Sequence, residues 1–365
     1  MQVRRLELKN FRSYEAAELE FSPEINVLWG ENAQGKTNLL EAIAWLTAAK
    51  SFRTRRDSEL IAFGAERMSV CADVESRGRA FRIEASVQPG VRRSVTVNGV
   101  KKKTAAELSG VFSVVVFCPG DLELIQAGSP VRRRFLDGAI CQLYPRYAAA
   151  LAEYGRLREH KTRILRDWES KPDLLDTLDD FSLRMAAAGA VLVRTRAAFL
   201  EKLQPAAARF HCDCSGGRAE RTLRDETNGA DPAADGPAVA RCLYEDMQRH
   251  RRAEIDSRSC LTGPHKDDIA VFIDGREAKT YASQGQVRTA AIALKAGEWE
   301  MHRLVLGERP VLLLDDVLSE LDETRQSFLR ERITGGQVFL TCCQLPGGAV
   351  GGRLFHVSRG AVTAQ

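Results

Sequence analysis

Residues 30–37 read Gly-Glu-Asn-Ala-Gln-Gly-Lys-Thr and match the pattern GxxxxGK(S/T), which wraps backbone amides around the phosphates of a nucleotide. An apolar run, Ile25 to Trp29, precedes this loop. After the loop, apolar residues recur at helical spacing, at Leu39, Leu40, Ile43 and Leu46. The sequence therefore predicts a strand, a phosphate-binding loop and a helix, which is the context that the pattern requires.

The residue types of this loop suit phosphate binding. Glycines let backbone N–H groups approach the phosphates, the helix N-terminus adds positive charge, and Lys36 can neutralise the β- and γ-phosphate oxygens. Thr37 can hold Mg²⁺ through its hydroxyl group. Ala33 fits less well, because its Cβ atom is unfavourable where a loop needs positive φ. The predicted nucleotide-binding residues are Gly30, Glu31, Asn32, Ala33, Gln34, Gly35, Lys36 and Thr37.

A second motif supplies the acidic metal partner that such a loop needs. Four apolar residues, Val311 to Leu314, predict a buried parallel strand that runs into Asp315 and Asp316. Asp315 can hold Mg²⁺, directly or through water, together with Thr37. Asp316 can orient or deprotonate the attacking water, so Asp316 and Lys36 are the predicted catalytic residues.

The spacing of these motifs indicates an insertion, because Lys36 and Asp315 lie 279 positions apart. Between them, Ser283-Gln284-Gly285-Gln286 begins an amphipathic helix and is similar to the ABC signature, whose usual form ends in SGGQ. Ser283 can cap the helix, and Gly285 lets a phosphate approach the helix amides. After the second motif, Ser319-Glu320-Leu321-Asp322 resembles the D-loop of the same class.

Beyond the nucleotide site, the chain resembles the RecF family of ABC/SMC-type ATPases over nearly its full length. The segments that carry the resemblance are LELKNFRSY at Leu6 to Tyr14, GENAQGKTNLLEAI at Gly30 to Ile43, FCPGDLELI at Phe117 to Ile125, RRRFLD at Arg132 to Asp137, GPHKDD at Gly263 to Asp268 and LLLDDVLSELD at Leu312 to Asp322. Residues alone predict no role for the GPHKDD segment.

The resemblance implies a set of functions. ATP phosphates would lie on Gly30 to Thr37, with Mg²⁺ on Thr37 and Asp315, and ATP would drive homodimerisation. In the dimer, the γ-phosphate held by one copy would be reached by Ser283, Gln284, Gly285 and Gln286 of the other. The family binds DNA at gaps or junctions and works with RecO and RecR in DNA repair, replication-fork maintenance and the SOS response.

Two positions depart from the wider ABC pattern. Asp316 stands where transporters usually carry Glu, and Thr341 lies near the position of their switch histidine. Both changes shorten the reach toward the attacking water. We therefore predict weak hydrolysis, with ATP acting mainly as a conformational switch. We also expect DNA to stimulate this hydrolysis.

The expected fold is α/β, an ABC/SMC-head-like P-loop ATPase lobe with an inserted, mainly α-helical lobe. The ATPase lobe is predicted from residues 1–125 and 261–365, and the helical lobe from residues 126–260. Alternating apolar residues predict strands in the first ~110 residues, whereas apolar steps of three and four predict helices from Pro130 to about Pro205.

Two further predictions concern the second half of the chain. Residues 216–237 are rich in Gly, Asp, Ala and Pro, which predicts an exposed loop. Ile269 to Ile273, Val311 to Leu314 and Val338 to Leu340 would all fit a buried sheet.

Composition is consistent with a cytosolic, globular protein. The 365 residues are 44% hydrophobic and 28% charged, enough for a full core. The N-terminus has no apolar signal segment, and the apolar runs are too short to span a bilayer. Nine scattered cysteines show no metal-binding spacing, so we expect reduced thiols.

The charge distribution allows a nucleic-acid partner. Net charge is +4, yet Val131 to Arg166 alone carry nine Arg or Lys against three acids. The candidate DNA-phosphate contacts are Arg132, Arg133 and Arg134; Lys101, Lys102 and Lys103 with Arg92 and Arg93; and Lys50, Arg53, Arg55 and Arg56. For each cluster, an ordinary solvated surface is the alternative.

Other protein classes share part of this pattern. An ABC transporter's nucleotide-binding subunit shares the ATP motifs, but not the segments at Arg132 to Asp137 and Gly263 to Asp268. An ATP-gated nuclease would need an added acidic metal-binding domain, and an SMC-like tether would need long heptad arms. A DNA clamp that binds ATP without hydrolysing it stays open.

Overall fold

The computed structural model describes residues 1–48, 51–54, 56–91, 93–215, 221–226, 230–317, 321, 326, 335–344 and 352–365. Its β-strands are β1 (Gln2–Phe11), β2 (Tyr14–Glu20), β3 (Ile25–Trp29), β4 (Met68–Ser76), β5 (Arg79–Val87), β6 (Ser94–Val97), β7 (Val100–Lys102), β8 (Val114–Phe117), β9 (Arg221–Glu226), β10 (Asp268–Ile273), β11 (Arg276–Glu277), β12 (Val311–Leu314), β13 (Val338–Cys342), β14 (Arg353–Ser358) and β15 (Ala361–Ala364). Its α-helices are α1 (Lys36–Trp45), α2 (Glu123–Gln126), α3 (Ser129–Leu143), α4 (Pro145–Asp167), α5 (Leu178–Ser215), α6 (Gly236–Arg249), α7 (Arg251–Ser257), α8 (Ala278–Tyr281) and α9 (Gln284–Leu306).

A central sheet has the strand order β15-β14-β3-β13-β12-β8. Strands β14, β3, β13, β12 and β8 are parallel, and β15 returns antiparallel beside β14. The prediction of a buried parallel strand at Val311–Leu314 is confirmed, since all four residues of β12 are buried. Because the carboxyl ends of parallel strands meet at one edge, the residues that follow β3, β12 and β8 lie at the same edge.

Both faces of the central sheet are covered. On one face, Leu28 and Leu313 share a core with α1 and the N-terminal strands. On the other face, Val27 and Leu312 pack with residues of α9. This explains the continuous apolar runs of these strands, because successive side chains point to opposite faces and each face is buried.

An antiparallel sheet, in the order β2-β1-β4-β5-β6-β7, confirms the strands predicted near the N-terminus. The hairpin of β6 and β7 turns at Asn98 and Gly99, whose φ angles are +50° and +76°. Two successive positive φ angles are what a type I′ turn requires, and Asn-Gly adopts them readily. Leu6 and Leu8 of β1 place their side chains in the core shared with α1.

Helices α3, α4 and α5 form the predicted helical segment and share one core with α9 and β10. Pro145 begins α4 as predicted, because the first turn of a helix does not need its missing N–H. The predicted end near Pro205 is wrong, since α5 continues through this proline to Ser215. The buried residues around the proline, which offset its lost hydrogen bond, are Leu203, Ala206, Ala207 and Phe210.

A third sheet, in the order β11-β10-β9, corrects two predictions. Strand β9 and the start of α6 lie within residues 216–237, which were predicted to be an exposed loop. Leu223 is buried against the helical core, but one apolar residue among charged neighbours gives no strand pattern. From the sequence, Ile269 to Ile273 would fit a buried sheet together with Val311 to Leu314. In the structure these residues lie in β10, which pairs with β9. An apolar run indicates a buried strand but does not specify its partner strand.

Two general properties bear on the class of protein. Within the part of the chain that the structure describes, no helix has the length and apolar content needed to cross a membrane. All nine cysteines lie in the described part of the chain, and none of them forms a disulfide bond. Burial raises the pKa of Cys118 to about 12, so this thiol is protonated at neutral pH.

A buried ion pair ties α4 to α7. Lys161 Nζ lies 2.7 Å from Glu254 Oε2, and both side chains are 1% exposed. The other carboxylate oxygen accepts a hydrogen bond of 2.8 Å from the N–H of Leu261. On the solvent side of α4, Arg163 and Glu159 form an exposed pair that serves as a natural comparison.

We predict that Lys161→Ala lowers the free energy of unfolding by about 3–5 kcal/mol, because the Glu254 carboxylate stays buried without its cation. Arg163→Ala is the matched control and should change it by less than about 1 kcal/mol, since exposed pairs contribute little. Urea denaturation followed by circular dichroism measures both. Equal losses in the two variants would contradict the role of burial.

Candidate nucleotide site

The phosphate-binding loop connects β3 to α1, as the sequence predicts. Gly30 and Gly35 have φ angles of +146° and +118°, which side-chain-bearing residues rarely adopt. A Cβ atom on Gly30 would also lie 2.3 Å from Val357 O in β14. Ala33 has a φ of +63°, so the backbone strain expected at this residue is present.

Lys36 begins α1 and folds its side chain back over the loop. Its buried ammonium group donates to Gly30 O at 2.5 Å and to Glu31 O at 2.8 Å. An ammonium group has three N–H donors, so one remains for an oxygen in the loop. The positive charge lies at a helix N-terminus, where anions bind most favourably.

A hydrogen bond joins the loop to the acidic motif. Thr37 Oγ1 donates to Asp315 Oδ1 at 2.7 Å, although 278 positions separate the two residues. The N–H of Asp315 donates to Phe117 O at 2.8 Å, which holds the residue between β12 and β8. Burial raises the pKa of Asp315, and hydrogen bonds from Thr37 and Thr341 act in the opposite direction.

Thr341, in β13, connects the two aspartates of the acidic motif. Its Oγ1 donates to Asp315 Oδ1 at 3.0 Å and accepts from the N–H of Asp316 at 2.8 Å. Asp316 has a φ of +53°, so this hydrogen bond helps to hold a strained backbone. The sequence shows that Thr341 lies near the position of the switch histidine of ABC transporters. It does not show that the Thr341 hydroxyl orients both aspartates.

The donor set at this edge of the sheet fits Mg²⁺. Magnesium prefers oxygen ligands, and Thr37 and Asp315 offer a hydroxyl and a carboxylate in direct contact. Among the described residues, no three His, Cys, Asp or Glu side chains gather into a cluster that could hold a metal by itself. The other ligands would therefore come from water and nucleotide phosphates, as is usual for Mg²⁺.

The loop has a support that the motifs do not predict. In the turn between β14 and β15, Gly360 N–H donates to Gln34 O at 3.1 Å, and Arg359 N–H donates to Gln34 Oε1 at 2.7 Å. From the start of β2, Tyr14 OH donates to Gly35 O at 3.0 Å. For the contact between the β14–β15 turn and Gln34, the only sequence signal is a Ser-Arg-Gly turn between two short alternating segments.

Glu41 of α1 is a second support. Its fully buried carboxylate accepts two hydrogen bonds of 3.0 Å from Arg12 and one of 2.5 Å from Ser51 Oγ. Arg53 lies 3.5 Å from the same carboxylate and donates to Asn38 Oδ1 at 2.7 Å. Arg53 was predicted to contact DNA, and the structure shows that part of its guanidinium is bound to α1.

The segment Ser283-Gln284-Gly285-Gln286 starts α9, as predicted. Ser283 Oγ accepts from the N–H of Gln286 at 3.4 Å, and Gln286 Oε1 accepts from the N–H of Ser283 at 2.8 Å. Ser283 and Gln284 are exposed at this helix end. Their contact with the γ-phosphate of a partner copy stays a prediction. In the predicted D-loop, Ser319, Glu320 and Asp322 lie outside the described residues.

Arg132 was predicted to contact DNA, and the structure contradicts this prediction. The residue is 6% exposed, and its guanidinium donates to both carboxylate oxygens of Asp268 at 2.8 and 2.7 Å. A buried guanidinium in such a pair cannot reach a duplex phosphate. Arg133 is half-buried and donates to Asp267 O, whereas Arg134 is exposed.

The other basic clusters differ in exposure. Lys101 and Lys103 are exposed, and Lys102 is half-buried, beside or within edge strand β7. Arg93 lies 4.0 Å from the centroid of the Trp45 ring, and burial lowers its pKa to about 10, so the structure does not support it as a phosphate contact. Arg56 is exposed. The described residues do not include Lys50, Arg55 and Arg92.

We predict that Gly360→Ala weakens nucleotide binding, because the added Cβ atom would lie 2.2 Å from Ser13 O and displace the turn from Gln34. Gly275→Ala is the matched control, since Gly275 has the same φ of +75° but no atom within 4 Å of an added Cβ. Both variants carry the left-handed backbone cost of roughly 1–2 kcal/mol. Only Gly360→Ala should lose a further ~1–3 kcal/mol from the clash.

Urea denaturation measures the loss of stability, and titration with a fluorescent ATP analogue measures nucleotide affinity. If both variants lost the same nucleotide affinity, the support of the loop by the β14–β15 turn would be refuted.

Comparison with known proteins identifies the family. Residues 2–349 match the family model described as RecF/RecN/SMC N terminal domain. The DNA replication and repair protein RecF of Symbiobacterium thermophilum is 38% identical over 370 residues, which cover 99% of this chain and 98% of that protein. The protein of the same name from Listeria innocua is 39% identical over 354 residues, which cover 95% of this chain and 94% of that protein.

Solved structures agree with this family. A structure described as the recombination mediator protein RecF-ATP in the RecFOR pathway has a TM-score of 0.92 at 31% identity, covering 100% of this chain and 97% of that chain. The SmcHead bound to the C-winged helix domain of ScpA has a TM-score of 0.54 at 17% identity, covering 100% and 97%, and shows likeness of fold alone. The expected ABC/SMC-head-like α/β fold is therefore confirmed. The chain belongs to the RecF family of DNA replication and repair proteins.

Proposed function

We propose that the chain is an ATP-dependent, DNA-binding recombination mediator that acts in DNA repair, at stalled replication forks and in the SOS response. The observation that carries the nucleotide part is the 2.7 Å contact between Thr37 and Asp315, which sets a phosphate loop against a carboxylate suited to Mg²⁺. The DNA part rests on its relatives, which are DNA replication and repair proteins. We further propose that it binds gap or junction DNA, that RecO and RecR are its partners, and that it acts in the cytoplasm.

Each part of the site has a proposed role. Residues 30–37 would bind the phosphates of ATP, with Lys36 Nζ on the β- and γ-phosphate oxygens. Thr37 and Asp315 would hold Mg²⁺, which neutralises phosphate charge when bound. Asp316 would orient or deprotonate the attacking water, within the limits set by its short side chain.

ATP would act mainly as a switch for dimerisation. Ser283 and Gln284 are exposed at the N-terminus of α9, and Gly285 and Gln286 are half-buried there, where helix amides favour an anion. In a dimer, this helix end would meet the γ-phosphate bound by the other copy. ATP would then stabilise the dimer, because it binds both copies at once.

A DNA clamp that binds ATP without hydrolysing it is the second candidate. The Thr341 hydroxyl, near the switch position, is already bonded to Asp315 at 3.0 Å and to the backbone of Asp316 at 2.8 Å. A hydroxyl held in this way is poorly placed to assist proton transfer from water. This favours slow or absent hydrolysis, and measured phosphate release distinguishes the two candidates.

We predict that Mg²⁺-ATP doubles the molar mass of the protein relative to its ADP form, measured by light scattering after size exclusion. Lys36→Met should keep the mass of the ADP form, because it lacks the ammonium that binds the β- and γ-phosphates. A mass that never responds to ATP would remove the support for a composite site that includes Ser283–Gln286.

We predict that Thr341→Val lowers Mg²⁺ affinity in the presence of ATP by roughly 10- to 100-fold, because the hydroxyl that orients Asp315 is lost. Thr341→Ser keeps the hydroxyl and should stay close to the wild type. Titration of nucleotide binding with Mg²⁺ measures this effect whether or not ATP is hydrolysed. Unchanged Mg²⁺ affinity in Thr341→Val would show that Asp315 does not depend on this residue.

A further inference from the structure

Two segments that the nucleotide site does not explain, Arg132–Asp137 and Gly263–Asp268, lie against each other. Arg132 donates to both carboxylate oxygens of Asp268 at 2.8 and 2.7 Å. Arg133, the next residue, donates to a backbone carbonyl of the second segment. The two segments therefore form one structural unit at the N-terminal part of α3.

The acids of this unit are turned inward. Arg196 of α5 is 4% exposed and donates to Asp137 Oδ1 at 2.8 Å and to Pro264 O at 2.7 Å. The buried carboxylate of Asp267 lies 3.9 Å from the same guanidinium. Asp137, Asp267 and Asp268 also lie within electrostatic reach of the half-buried Arg133, so they offset its positive charge.

Two cations, Arg158 and Lys266, are turned outward beside one imidazole. Tyr154 OH and His265 Nδ1 share a hydrogen bond of 2.7 Å, and Arg158 lies one turn after Tyr154 on α4. Arg158 and Lys266 are both exposed. Burial is the main cause that lowers the pKa of His265 to about 4, and Arg158 and Lys266 contribute to this shift, so both cations lie within electrostatic reach of a neutral ring.

Arg158 and Lys266 lack the acidic partners that neighbouring arginines have. Arg156 and Arg163, on either side of Arg158 in α4, pair with glutamates at 2.5 and 2.6 Å. Neither Arg158 nor Lys266 forms an ion pair with a carboxylate in the described part of the chain. An exposed cation without a partner is available to an anionic ligand, whereas a paired one must first break its own contact.

We propose that Arg158 and Lys266 form a phosphate-binding patch that takes the backbone of DNA. The patch joins α4 to a loop that the buried Arg132 and Arg196 hold in place through Asp268 and Pro264. The inference rests on the proposed function, in which DNA is the ligand, and it names the surface that binds it. It also assigns a role to the Gly263–Asp268 segment, whose aspartates fix the loop and whose lysine meets DNA.

The test is the salt dependence of DNA affinity, measured by fluorescence anisotropy with gapped DNA in Mg²⁺-ATP between 50 and 200 mM salt. Arg158→Gln with Lys266→Gln should weaken binding about tenfold or more at 50 mM salt and lower the slope of log K against log salt by roughly 2. Arg156→Gln with Arg163→Gln removes the same charge from paired residues and should leave the slope unchanged. Arg158→Lys with Lys266→Arg keeps the charge and should retain the slope.

The outcomes separate this inference from the proposed function. If the wild type binds DNA and the Arg158/Lys266 double variant has the wild-type slope, the patch does not bind DNA and the inference is overturned. Equal slope changes in both Gln double variants would also overturn it, because the effect would follow net charge. If the wild type itself fails to bind DNA, the proposed function fails as well.

Discussion

The contact between Thr37 and Asp315 depends on the strand order of the central sheet. Only β13 separates β3 from β12, and the three strands are parallel, so their carboxyl ends meet at one edge. Since 278 positions separate the two residues, the chain between them must leave the sheet and return in register. A slip of one residue in β12 would turn its side chains to the opposite faces and move Asp315 away from the loop. The packing of α1 and α9 on the two faces therefore stabilises the register on which the site depends.

The local parts of this site could be predicted from the sequence, because residue type alone dictates them. Glycines define the loop, Ser283 caps α9, and the apolar run of β12 requires burial on both faces. The non-local parts could not be predicted in this way. An apolar run such as β10 suits any buried sheet, and Arg132 finds its carboxylate 136 positions away. A run of arginines therefore shows neither which guanidiniums are buried in ion pairs nor which remain for a ligand.

Burial explains why the Arg132–Asp137 and Gly263–Asp268 segments depend on each other. A guanidinium loses much hydration when it is buried, and a nearby carboxylate with good geometry is needed to offset that loss. Arg132 of the first segment pairs with Asp268 of the second. Arg196 of α5 pairs with Asp137 of the first segment. Either segment alone would hold uncompensated buried charge. The surface charge of this region then comes from the residues that do not take part in these buried ion pairs.

The phosphate loop is firmly supported, whereas the proposed catalytic groups would promote hydrolysis only weakly. The carbonyls that hold Lys36 and the turn that holds Gln34 keep the loop in place before a ligand arrives, so binding needs little reorganisation. Strained backbone at Ala33 and Asp316 persists only because surrounding contacts hold it. In the proposed mechanism, the short Asp316 side chain and the bonded Thr341 hydroxyl would give little assistance to the attacking water. Interactions made equally with bound ATP and with the transition state do not raise the rate of the chemical step. Such a site places its binding energy in the ATP-bound conformation, which is the property that a switch requires.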